Sequence, residues 1–77
     1  MKWFYRAWST HAIRFASGTA HSVKGKLLRH ALTDLAAILS EHEVREGEIW
    51  MNARGKVRFS PEIPAHLHQR LRNIILS

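Results

Sequence analysis

The chain has 77 residues, no cysteine and a formal net charge of +6. That length makes one domain near the lower limit for unassisted folding, and the absence of thiols excludes disulfides and thiolate metal sites. An apolar share of 45% is ordinary for a globular chain, so little is left over for a catalytic cleft with its own supporting residues, and an enzyme is not expected.

Residues 1–11 form an aromatic and basic opening. Trp3, Phe4, Tyr5 and Trp8 interleave with Lys2 and Arg6. No aliphatic stretch or small-residue cleavage site of a signal peptide follows. No run in the chain approaches the roughly 20 apolar residues that span a bilayer. The expected setting is therefore cytoplasmic. Aromatic and basic residues together suit an RNA surface, a protein groove or a membrane interface. The structural alternative is that the segment completes the core of a domain short of apolar mass.

Residues 12–77 read as a single small α+β domain. Ala12 to Ala16 alternates about Ile13, Arg14 and Phe15, as a half-buried strand does. Ser17-Gly18 is a turn signal, and Thr19 to Val23 returns as the second strand of a hairpin. From Leu27 the period lengthens: Leu28, Ala31, Leu32, Leu35 and Leu39 recur at helical spacing, predicting a helix that ends near Glu41 to Val44.

Glu48 to Asn52 and Lys56 to Ser60 predict a second hairpin. A three-residue loop with Gly55 in the left-handed region sets Ile49 opposite Phe59 and Met51 opposite Val57, all on the core face. Trp50 then faces Arg58 on the other side. A two-residue turn would slip the register and mix the faces. Pro64 suits the first turn of a final helix to about Leu76, burying Leu67, Leu71, Ile74 and Ile75.

The halves look like one ββα unit used twice. The predicted fold is α+β, ββαββα, a four-stranded antiparallel sheet with two helices on one face. The expected core is Ile13, Phe15, Leu28, Leu32, Leu35, Leu39, Ile49, Met51, Val57, Phe59, Leu67, Leu71 and Ile74.

Charge is unevenly placed. Residues 1–33 hold Lys2, Arg6, Arg14, Lys24, Lys26 and Arg29 without one acid, while from Asp34 onward bases and acids balance. Such asymmetry suits a polyanionic partner, or simply keeps a small protein soluble. The outward sheet face supplies Arg14, Trp50, Lys56 and Arg58, in which an exposed indole among cations would stack bases. Against this stand a Trp50–Arg58 cross-strand pair and burial of Trp50 beneath the N-terminal segment. Lys24-Gly25-Lys26 with Arg29 opens the first helix against its dipole and suits a phosphate, or is merely a solvated surface. Arg72, with Gln69 and Asn73, lies on the polar face of the last helix, which could meet a nucleic-acid backbone or only water. The six histidines lack metal spacing: His66 and His68 diverge on a helix, and His30 with Asp34 lacks further ligands. No metal and no cofactor is expected.

Val23-Lys24-Gly25-Lys26, Ile63-Pro64 and Gln69-Arg70-Leu71-Arg72-Asn73 resemble a family of short bacterial proteins whose domain has no established activity. The likeness runs from about Ile13 to Leu76 and is most specific at its Ile-Pro and Gln-Arg-x-Arg-Asn ending. Members often begin with a hydrophobic, membrane-type segment, from which the aromatic and basic residues 1–11 depart. The resemblance carries no activity or partner onto these residues.

The expected function is that of a small basic binding module for nucleic acid, RNA or a ribonucleoprotein surface. The alternatives are a protein-interaction subunit docking through the N-terminus and sheet face, and peripheral association with a membrane surface.

Overall fold

A computed structural model describes residues 9–25 and 29–76. Four strands and two helices follow the predicted order: β1 (His11–Ala16), β2 (Thr19–Lys24), α1 (Arg29–Glu41), β3 (Glu46–Met51), β4 (Val57–Phe59) and α2 (His68–Leu76). A 3-10 turn, Ala65–Leu67, follows Pro64 and leads into α2. The helix proper thus starts later than predicted. Expected core position Leu28 lies outside the described residues.

The sheet is antiparallel throughout, in the order β2-β1-β3-β4. The two hairpins lie side by side, joined where Ile13 opposes Ile49. Ser17 (φ 53°) and Gly18 (φ 78°) form the tight first turn, whose left-handed pair matches the twist of the strands. The second hairpin has the predicted three-residue loop. Asn52 N–H donates to Lys56 O at 3.0 Å, Gly55 takes φ 80°, and Ile49, Trp50 and Met51 face Phe59, Arg58 and Val57.

Both helices pack on the face carrying Ile13, Phe15, Ile49 and Val57, closing one core with Leu35, Leu39, Leu67 and Leu71. Leu32, Met51, Phe59 and Ile74 are half-buried rather than enclosed, and pack against the core from its margin. Ile75 is buried as the helical spacing predicts, and Ile38 and Ile63 are buried members beyond the expected set. Ile63 sits over Gly47, where an added Cβ would lie 2.8 Å from its Cγ1. Glycine is needed there to let the linker pack onto β3.

α1 ends in a Schellman motif. Val44 N–H donates to Leu39 O and Glu43 N–H to Ser40 O, with half-buried Val44 packing against the core. The residue forced left-handed is Glu43 (φ 61°), not glycine. It also brings a negative charge to the negative end of the helix dipole. Glu43→Gly is therefore expected to raise stability by up to about 1 kcal/mol, read from chemical denaturation. A loss of stability would show that Glu43 makes compensating contacts.

Candidate functional site

The outward sheet face differs from expectation at its centre. Trp50 faces Arg58 in the predicted register, yet it is only 1% exposed. Its Nε1–H donates to Glu48 Oε2 at 3.1 Å, and Glu48 is itself 5% exposed. Ala12, directly opposite Trp50 on β1, and Ser9 are also buried. The middle of the sheet is thus covered on both faces, and Trp50 is not available as a stacking platform. Period-2 alternation assigns a side chain to a face but does not say whether that face is wet. The signal in the sequence was Glu48 itself, two residues before Trp50 and so on the same face, an acceptor for the indole N–H.

The other expected binding residues separate into groups. Lys2, Trp3, Arg6, Trp8 and Lys26 lie outside the described residues. Arg14 is exposed on β1, opposite His21 and Glu48. Lys24 ends β2, and Arg29 starts α1, where it lines a groove with Thr19 and Ala20. Gly25 between them has a packing role. At φ 70° it lies so close to Thr10 O and His11 that a Cβ would sit 2.7 Å and 2.6 Å from them. That geometry explains the glycine without any phosphate.

Lys56, Arg58 and Arg72 are the group the fold brings together. They line one shallow depression with Gly55 and Val57, and no carboxylate shares that lining. Each side of the depression is held from below. In the β3–β4 loop, Asn52 Oδ1 accepts from Arg54 N–H at 2.9 Å and from Lys56 N–H at 3.0 Å, fixing where Lys56 leaves the loop.

On α2, Arg72 Nη1 donates to Gln69 Oε1 at 3.2 Å, and Gln69 Nε2 donates to Asn73 Oδ1 at 2.9 Å. The Arg72 guanidinium lies 5.7 Å from the centroid of Phe59. The His68 ring stacks on Phe59 at 4.1 Å and 13°, and His68 Nε2 sits 3.1 Å from Ile63 O. Phe59, stacked on His68, thus gives the guanidinium an aromatic face beside β4. Planar, pre-positioned donors of this kind suit phosphate oxygens. Sequence reasoning named all three cations but missed Asn52, whose contacts are local to its loop, and Phe59 and His68, whose roles depend on packing between β4 and α2.

Burial of Trp50 predicts a structural effect from its replacement. Trp50→Ala is expected to lower stability by about 3–5 kcal/mol. Trp50→Phe, which takes one donor from Glu48, should cost about 1–3 kcal/mol. Urea titrations of both variants check this, and a change below about 1 kcal/mol for Trp50→Ala would mean that the indole is exposed in solution.

In comparison with known proteins, the chain matches no family model, no curated protein and no solved structure, so the family resemblance rests on its motif residues alone.

Proposed function

We propose that this domain binds RNA through its phosphate backbone, at the depression between the β3–β4 loop and α2. The observation that carries the reading is the convergence of Lys56, Arg58 and Arg72 on one acid-free lining. Cations in this setting neutralise phosphates and release condensed counterions, which gives affinity without base readout. With Trp50 enclosed, the supporting interaction is backbone contact rather than base stacking on the sheet face. Exposed Arg54, in the same loop, extends the positive rim. Arg14 adds an exposed cation on β1, separated from β4 by β3 and opposite Glu48. No helix among the described residues is long and apolar enough to cross a membrane.

Binding of a short single-stranded RNA should weaken steeply as salt rises. The slope of log affinity against log salt should become shallower by about 0.7 for each phosphate contact removed. Lys56→Gln, Arg58→Gln and Arg72→Gln are expected to act in this way while thermal melts stay near wild type, because none of the three is enclosed in the core. Unchanged affinity and slope in the triple variant would reject this surface as the RNA site.

A further inference from the structure

We infer that a second copy of this chain docks along the edge of β2 that no other described strand pairs with, joining two sheets into one and setting the two α1 helices side by side. The inference goes beyond the RNA reading and does not rest on it.

The two edges of the sheet are unlike. β4 is three residues long, with Arg58 at its centre and Lys56 just before it, the short charged edge that resists strand pairing. β2 has six residues, Thr-Ala-His-Ser-Val-Lys, without proline and with its one formal charge at the end. Val23, at the bulge near that end, is 47% exposed. In a hairpin closed by a two-residue turn, Ala16 pairs with Thr19 and Arg14 with His21 through mutual backbone hydrogen bonds. Ala20 and Ser22 therefore turn their N–H and C=O groups to the open edge.

That arrangement is self-complementary. A two-fold axis beside His21 sets Ala20 against Ser22 of the second copy and Ser22 against Ala20 of the second copy. All of these are hydrogen-bonding positions, so the antiparallel ladder continues in register.

The helix beside this edge fits the same operation. A groove between β2 and α1 is lined by Ala20 from the strand and by Arg29, Leu32, Thr33, Ala36 and Ala37 from the helix. Mostly small side chains on this face let a second helix approach closely. The charges on α1 also suit an antiparallel neighbour. Its first turn carries Arg29 and no acid, and its last turn carries Glu41 and no base. Within one chain both ends oppose the helix dipole. Against an antiparallel copy, Arg29 turns toward the end bearing Glu41 of the second copy, and the helix dipoles align favourably. A strand donated by an unrelated protein could use the open edge, but would not answer the charge pattern of α1.

Sedimentation equilibrium of the whole chain, up to about 1 mM, tests the proposal. A dimer of twice the 8.9 kDa chain mass is expected. Ser22→Pro removes an edge-facing N–H that β1 does not use, and should weaken dimerisation about tenfold or more. Ala37→Lys adds bulk and a cation at an exposed helix position, placed to pair with Asp34 and Glu41 of its own helix, and should do the same with unchanged helical circular dichroism. If Ser22→Pro fails to fold, Ala37→Lys decides alone. Arg29→Glu and Glu41→Arg should each weaken the dimer, and their combination should restore it. A monomer throughout the concentration range, or a dimer indifferent to Ala37→Lys, overturns the proposal.

Discussion

The antiparallel pairing of β1 with β3 is the constraint on which the rest of the structure depends. It joins two hairpins that would each be marginal alone. It also sets Ile13 opposite Ile49 and places Phe15 across from Gly47, giving both helices a common surface to pack on. The strands that make this pair are central in the sheet, and both faces of their middle are covered. Residues Gly47 to Trp50 are buried in succession, without the alternation of a strand wet on one side. The Trp50–Glu48 hydrogen bond follows from that constraint, because an indole N–H removed from water needs a partner.

With the sheet enclosed around Trp50, its exposed cations lie beside that patch. Arg14 is opposite Glu48, while Lys56 and Arg58 belong to the loop and edge strand of the second hairpin. The short crossing from β4 through Ile63 and Pro64 then brings α2 back beside that edge, carrying Arg72 over Phe59. The charge that protects β4 from strand pairing is the charge proposed to hold phosphate. β2 at the opposite margin carries its one formal charge at its end, and the two edges are proposed to meet different partners.

Much of this arrangement was legible in the sequence where local chemistry decides it. Gly55, two residues after an Ala-Arg step that begins at Ala53, specified a three-residue loop, and that loop decided every cross-strand pair of β3 and β4. The helical period of Leu35 and Leu39 located α1, and Pro64 marked the approach to α2. What was not legible depends on three-dimensional closure. Alternation placed Trp50 on the outward face correctly, but could not show that the face is covered there. The basic stretch from Lys24 to Arg29 is compact in sequence, yet the described cations that converge are Lys56, Arg58 and Arg72, from segments separated by a linker and a helical turn. The burial of Ile63 between two prolines has the same origin, since the linker earns its place only by packing over Gly47.

On the proposed reading, the sheet centre is structural and its basic margin is the binding surface. The most direct measurement is a nuclear magnetic resonance titration of the labelled chain with a short single-stranded RNA. Shifts are expected for the backbone amides from Gly55 to Arg58 and for the Arg72 side chain, while the Trp50 indole N–H stays where it is, held by Glu48. A large upfield shift or broadening of the Trp50 indole signal, with the Arg58 and Arg72 resonances unmoved, would contradict that reading.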